Sequence, residues 1–324
     1  MKIKLKTQEF INAVCSSREK DLVGKSRLVR MADAESLQVA FEILKESAFG
    51  GENTFAFGDY DKLIDQEEKR LLEFVKEYTP SEEILNYCLI PYDFYNAEVI
   101  VKSISVKSNY QNLIQNEGLF TIEQLLNAVN GNAEGMPKQL VCAINESKLA
   151  LEEGKGGMVV GGIFARRKFE YLQKVVKTKY LKELLQKQID GLNLCALLRA
   201  GDYDLVSSQI ISGGTINKNQ MQALASRNEN QIAVAFNNHY LQQEALKGAN
   251  AINQGKPLID TERALSSMGA DRMEEGKYTE QSGTYPFMRY YYKRKNEIAC
   301  VRTVLTGKAN SLDTEQIKRR LITV

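Results

Sequence analysis

The 324-residue chain is poor in the residues on which metal sites and catalytic sets usually depend. It has one histidine, His239, and five scattered cysteines with no Cys-x-x-Cys pair. The odd, dispersed cysteines argue against a zinc site or a disulfide framework and favour a reducing compartment. With one histidine, a Ser/His/Asp or Cys/His triad is not expected. We therefore predict no catalytic residue, no metal and no cofactor, with His239 in a structural or surface role.

The chain also lacks a charge excess and a long apolar run. Its 43 basic and 41 acidic residues give a net charge of +2, so no bulk field attracts nucleic acid. The most apolar stretch, residues 156–165, is about half as long as a transmembrane helix requires. The N-terminal MKIKLKTQEF lacks the apolar core of a signal peptide. We expect a cytoplasmic protein without a membrane span and without a nucleic-acid partner.

Prolines are scarce, and the segments between them have helical periodicity. The segment IDQEEKRLLEFVKEY (64–78) places Leu71, Leu72 and Val75 on one side and charges on the other. Residues 164–189 form a longer amphipathic segment, in which apolar residues recur near the helical period. Those residues are Phe169, Leu172, Val176, Tyr180, Leu184 and Ile189. The predicted fold class is all-α.

Three similar stretches recur along the chain. DFYNAEVIVKS (93–103), DGLNLCALLRA (190–200) and KRKNEIACVRT (293–303) each have Asn at the fourth position. Three apolar residues follow at the seventh to ninth positions, and Lys or Arg occupies the tenth. On a helix the fourth position shares a face with the seventh and eighth. We therefore expect each amide to be buried and hydrogen-bonded, in a structural role that fixes helix register.

Glycine-led segments repeat with the same period. Gly24, Gly118 and Gly214 are 94 and 96 residues apart, close to the spacings of 97 and 103 between successive signature asparagines. Two markers in phase predict three related helical bundles. The predicted domains are residues 1–110, 111–205 and 206–324. Cys195 and Cys300 lie within the repeated apolar blocks, so we expect them to fill the core.

Three stretches are similar to functional motifs but lack their context. EKDLVGKS (19–26) ends like a phosphate-binding loop, yet Glu19 stands where glycine is required, so no nucleotide site is expected. The glycine-rich EEGKGGMVVGG (152–162) is interpreted as a connection between helices. MRYYYKRK (288–295) interleaves aromatic and basic residues as single-strand nucleic-acid binders do. We expect instead an ordinary helix surface of tyrosines and solvated Lys and Arg side chains.

The third repeat resembles a known family. YPFMRYYYKRKNEIACVRTVLTGKANSLDTEQIKRRL (285–321) is similar to the C-terminal signature of the C subunits of V-type and A-type rotary ATPases, the counterparts of the eukaryotic d subunit. DGLNLCALLRA (190–200) resembles the family's middle signature, and DFYNAEVIVKS (93–103) resembles its first. Lys102 in place of Arg and Ala165 in place of Asp depart from the family pattern. The signature residues, taken as structural, are Asp93, Asn96, Lys102, Asp190, Asn193, Arg199, Asn296, Glu297, Arg302, Gly307 and Lys308.

The resemblance implies a funnel of three related bundles around a pseudo-threefold axis, with a central opening. It also implies a non-catalytic rotor component that is peripheral, on the cytoplasmic side of the membrane. Such a component receives the central shaft, built from the D and F subunits, and sits on the membrane c ring or K ring. It passes torque to a ring that moves protons or sodium ions. Two other hypotheses are a helical scaffold unrelated to the ATPase and an enzyme that uses the loop at Gly24, Lys25 and Ser26.

Overall fold

Helices make up the regular structure of the protein, whose computed structural model describes residues 7–51, 55–276, 283–322 and 324. No strand occurs in these ranges, so the predicted all-α class is confirmed. Short 3-10 turns lie at Glu19–Asp21, Phe57–Asp59 and Ser207–Gln209. The α-helices are α1 (Gln8–Arg18), α2 (Gly24–Asp33), α3 (Leu37–Lys45), α4 (Tyr60–Tyr78), α5 (Glu82–Ser105), α6 (Ile122–Val129), α7 (Lys138–Glu152), α8 (Gly157–Val175), α9 (Lys179–Ala200), α10 (Tyr203–Val206), α11 (Lys218–Ser226), α12 (Glu229–Ala235), α13 (Gln242–Asn253), α14 (Ile259–Glu275), α15 (Tyr285–Ala309) and α16 (Thr314–Lys318).

The chain divides into two compact units. Unit 1 contains Met1–Glu82 and Leu258–Val324, and unit 2 contains Glu83–Pro257. In unit 1 the long helix α15 packs against α1, α2, α3, α4 and α14, so segments from both ends of the chain share one core. In unit 2, α7 and α8 form a helical hairpin, and α9 packs against α8, α10, α11 and α13. The division into repeats 1–110, 111–205 and 206–324 stays a prediction.

The segment MRYYYKRK is part of the core of unit 1 rather than the solvated helix surface that we expected. Tyr290, Tyr291 and Tyr292 are all buried in α15. Phe74 of α4 meets Tyr290 edge-to-face, with the ring centroids 4.8 Å apart. Arg294 is only 11% exposed because carboxylates inside the unit neutralise it. The expectation was wrong because helices distant in sequence enclose α15, and Arg294 pairs with Glu67, which lies 227 residues away.

The amphipathic segment 164–189 is interrupted between α8 and α9. All six of its periodic apolar residues are buried as predicted, but Val176 to Thr178 leave the helical path. Glu83 of α5 accepts hydrogen bonds there from the backbone N–H of Lys177 (2.6 Å) and Thr178 (2.7 Å) and from the Thr178 hydroxyl (2.9 Å). The carboxylate satisfies backbone donors at the start of α9 and so stabilises the break.

The glycine-rich stretch is only partly a connection, which corrects the sequence interpretation. Residues 157–162 belong to α8, and the connection is confined to residues 153–156. A side chain at Gly161 would lie 3.2 Å from a Glu98 carboxylate oxygen, and one at Gly157 would lie 3.7 Å from Lys102 Cε. Glycine at position 161 therefore leaves room for the Glu98 side chain of α5, whereas the distance at Gly157 is an ordinary contact.

Candidate functional site

The first signature fixes α5 to the loop that precedes α6. Asn96 is fully buried, and its amide oxygen accepts from the Gln115 N–H (2.9 Å) while its amide nitrogen donates to the Gln115 carbonyl (3.3 Å). Asp93, also fully buried, accepts from the backbone N–H groups of Leu119 (2.9 Å) and Phe120 (3.1 Å). The two side chains thus bind the backbone of one loop at two points.

The second signature repeats this arrangement on α9. The amide oxygen of Asn193 accepts from the Ile211 N–H (3.0 Å), and the amide nitrogen donates to the Ile211 carbonyl (2.8 Å). Asp190, which has no exposed surface, accepts from the N–H groups of Thr215 (2.7 Å) and Ile216 (3.2 Å) just before α11. Two hydroxyl groups also donate to Asp190, that of Thr215 at 2.6 Å and that of Tyr240 at 2.8 Å.

The third signature uses a different residue for the carboxylate. Lys293 stands at the position of Asp93 and Asp190, and the buried Glu297, next to Asn296, supplies the carboxylate instead. Glu297 accepts from the N–H of Gly24 at 3.1 Å, which is the first residue of α2. The Asn296 amide is 6% exposed. The burial predicted for all three asparagines is therefore confirmed.

Each glycine landmark lies where a signature carboxylate meets the start of a helix. Gly118 is next to Leu119, and a side chain there would come within 2.7 Å of the Asp93 carboxylate. A side chain at Gly214 would overlap the Asp190 carboxylate. Asp93 and Asp190 accept from loop N–H groups one and two residues before the N-caps of α6 and α11. Glu297 accepts from the first N–H of α2, which lacks an intrahelical acceptor. The recurring glycines and the recurring signature stretches are both evident in the sequence, but the contact between them was not predicted.

An ion-pair network surrounds the third carboxylate. Arg294 bridges Glu297 (2.5 Å) and Glu67, and Arg70 binds the other oxygen of Glu67 (2.5 Å). Burial alone would lower the pKa of Arg294, but the carboxylates of Glu297 and Glu67 raise it above its usual value. Burial raises the pKa of Glu297, against the opposing effect of Arg294 and the Gly24 N–H. The network neutralises charge in the interior of unit 1.

The remaining signature residues lie apart from the carboxylates. Lys102 pairs with Glu98 at 2.5 Å on α5, and Arg302 pairs with Asp65 at 3.1 Å in unit 1. The carbonyl of the exposed Arg199 accepts from the Arg227 guanidinium at 2.7 Å.

The C-terminal signature residues Gly307 and Lys308 position the last helix. Gly307 is buried in α15, and a side chain there would lie 2.7 Å from Ile317 of α16. Lys308 donates to the Thr314 hydroxyl at 3.4 Å. These residues thus hold α16 against α15.

His239 has a structural environment in unit 2. Its Nδ1 accepts from the Leu241 N–H at 3.2 Å, so Nε2 carries the proton and donates to the Thr215 hydroxyl at 3.0 Å. Burial lowers its pKa, and the Asp190 carboxylate opposes that shift. Burial also raises the thiol pKa of Cys300 to about 11, and both Cys195 and Cys300 fill the core as predicted.

Two residues of the phosphate-loop look-alike, Glu19 and Gly24, have structural partners, while Lys25 and Ser26 are exposed. Gly24 begins α2 and donates to Glu297, while Glu19 forms a two-point ion pair with Arg289 at 2.9 and 3.1 Å. Among the described His, Cys, Asp and Glu residues, no three are grouped as a metal ion would require. Within the same residues, every helix is too short or too polar to cross a lipid bilayer.

Comparison with known proteins identifies the family. A family model described as "ATP synthase (C/AC39) subunit" matches residues 11–320, nearly the whole chain. The chain belongs to this family. It is 22% identical over 320 residues to the C subunit of the V-type sodium ATPase of Enterococcus hirae, covering 96% of this chain and 97% of the relative. It is 20% identical over 335 residues to the C subunit of the A-type ATP synthase of Pyrococcus furiosus, covering 95% and 88%. The sequence resemblance to these C subunits is confirmed.

Proposed function

We propose that this member of the C-subunit family is a non-catalytic adaptor in the central rotor of a V/A-type ATPase. It links the shaft, built from the D and F subunits, to the membrane c ring or K ring and transmits torque for proton or sodium transport. It acts on the cytoplasmic side of the membrane as a peripheral component. The funnel of three related bundles around a central opening is part of the same proposal.

The observation that carries the proposal is the family match over residues 11–320. The internal bonding of the long helices adds physical support. The buried carboxylates of Asp93 and Asp190 anchor long helices to the loops before α6 and α11, and that of Glu297 anchors α15 to the first residue of α2. A part that transmits torque must resist deformation, and buried charge-assisted hydrogen bonds resist it because breaking them exposes an unpaired charge.

Co-purification tests the assignment of partners. The tagged full chain, expressed in a strain that lacks its own copy, is recovered from detergent-solubilised membranes. We expect the D and F subunits and the ring protein in the eluate. An eluate with other ATPase components but neither shaft nor ring would contradict the adaptor role.

Reconstitution tests the proposed absence of catalysis. Complexes assembled without this chain should hydrolyse ATP but not drive ion transport in vesicles, because shaft rotation no longer reaches the ring. Adding the purified chain back should restore transport. Loss of ATP hydrolysis itself in the soluble catalytic part, on omission of this chain, would contradict a non-catalytic role.

A further inference from the structure

Unit 1 contains a cavity of about 250 Å³ that the rotor proposal does not use. Three guanidinium-bearing residues from different helices line it: Arg18 of α1, Arg70 of α4 and Arg294 of α15. Two carboxylate residues, Asp21 and Glu67, also line it. The cavity therefore collects donors that suit oxygen-rich anions.

The deepest charges of the cavity already satisfy one another. Glu67, 2% exposed, accepts from Arg70 Nη1 and from the N–H of Gly50 (3.0 Å), and its second oxygen is held by Arg294. The other terminal nitrogen of Arg294, Nη1, donates to the Glu297 carboxylate. Neither Glu67 nor Arg294 is thus left with an unbalanced charge that a ligand would have to neutralise.

Arg18 and Arg70, by contrast, keep donors that no carboxylate uses. Arg18 is exposed, lies over the rings of Phe74 (5.0 Å) and Tyr78 (5.8 Å), and pairs with no carboxylate in the described ranges. One of its donors bonds the Tyr290 hydroxyl on the cavity wall. Arg70 uses only one nitrogen, Nη1, on Glu67, and its guanidinium is close enough to Gly51 that a side chain there would lie 2.7 Å from it. Ring stacking orients Arg18, and the bond to Glu67 orients Arg70, before any ligand arrives.

We propose that the cavity of unit 1 binds an oxyanion, a carboxylate or a phosphate, between the guanidinium groups of Arg18 and Arg70. Stacked or otherwise fixed guanidinium groups recognise planar and tetrahedral oxyanions through pairs of N–H donors. Asp21 on the cavity wall repels such a ligand and weakens its binding. This inference does not rest on the rotor proposal, and the isolated full chain is sufficient to test it.

Titration of the full chain with sodium phosphate or sodium acetate at low, constant ionic strength tests the site. We expect saturable calorimetric binding with a dissociation constant of about 1 mM, since the site is open to solvent. Arg18→Gln and Arg70→Gln should each weaken binding about 10-fold or more, since each removes a charged donor. Arg30→Gln, an exposed arginine of α2 that pairs with Glu46, is the matched control and should bind normally. Asp21→Asn should bind several-fold more tightly because a repulsive charge is removed.

The outcomes separate the two ligand sources. Binding of both anions through Arg18 and Arg70 supports an oxyanion site that accepts either group. Binding of acetate alone assigns the site to a carboxylate, such as an acidic side chain of a partner protein. Binding of phosphate alone assigns it to free phosphate or a phosphorylated group. The proposal is overturned if neither anion binds saturably below about 50 mM, well above the expected dissociation constant, or if Arg18→Gln and Asp21→Asn leave affinity unchanged. Arg18 is exposed, so this test stands even if Arg70→Gln, which leaves Glu67 short of a partner, unfolds.

Discussion

At the residue scale, the structure explains why an asparagine precedes the apolar block in the first two signatures. An amide offers a donor and an acceptor together, so it can bind both the N–H and the carbonyl of one loop residue. Asn96 does this with Gln115, and Asn193 with Ile211. Aspartate lacks the donor and leucine lacks both. The recurring side chain is thus suited to hold an extended loop against a helix without a partner side chain.

Replacement of Asn193 by leucine should destabilise the protein. The backbone N–H and carbonyl of Ile211 lose their partner in a buried place, which costs about 1–3 kcal/mol. Chemical denaturation monitored by circular dichroism measures the change. Asn219→Leu, at an exposed position of α11, is the control and should change stability by less than about 0.5 kcal/mol. Equal stability of the two variants would show that the Asn193 bonds contribute nothing.

Burial of the asparagines could be predicted from sequence, but their partners could not. The helical period places each Asn on the same face as its apolar neighbours, which is enough to predict burial. The partners are backbone groups of loops, whose positions no side-chain pattern encodes. The glycines offered an indirect signal, since Gly118 and Gly214 follow the carboxylates of Asp93 and Asp190 at nearly equal spacing. In the third case Glu297 replaces the expected aspartate, so spacing alone would mislead.

At the element scale, the boundary between α8 and α9 depends on one carboxylate. Apolar periodicity continues through the break, because Leu172 before it, Val176 within it and Tyr180 after it are all buried. A sequence reading therefore sees one helix. The acceptor that ends it, Glu83, lies 94 residues before Lys177. Local patterns predict helices well, but interruptions caused by distant side chains fall outside them.

Replacement of Glu83 by alanine should loosen this boundary. The N–H groups of Lys177 and Thr178 would lose their acceptor, and we expect a loss of about 1–3 kcal/mol in the free energy of unfolding. Hydrogen exchange at these two amides should accelerate more than exchange in the middle of α9. Glu134→Ala, in the loop before α7, is the charge-matched control. Unchanged exchange at Lys177 and Thr178 would contradict this role of Glu83.

At the scale of the whole molecule, unit 1 is assembled from the two ends of the chain. Glu297 of α15 holds Gly24 of α2, and Arg289 of α15 holds Glu19. The family resemblance in residues 285–321 did not reveal this closure, because it concerns a segment of one end. Contacts between distant segments raise the entropy cost of folding this unit.

Removal of residues 1–23 should destabilise α15 selectively. The truncated chain loses α1 and the partner of Arg289, so buried aromatic surface of α15 becomes exposed. Hydrogen exchange should show faster exchange in Tyr285–Ala309, while α9 of unit 2 keeps its protection. Equal acceleration in both helices would show instead that the two units unfold together. No change in α15 would mean that the N-terminal segment contributes little to unit 1.

This joining of chain ends has a consequence during synthesis on the ribosome. The first part of unit 1, through Glu82, emerges before all of Glu83–Pro257, and its C-terminal partner follows last. At about 5–20 residues per second, α1–α4 wait roughly 10–45 s until α15 is complete. Throughout that interval, the apolar face of α4, which includes Leu71 and Phe74, cannot pack against α15. Chaperones that shield nascent chains therefore have a defined window in which this protein most needs them.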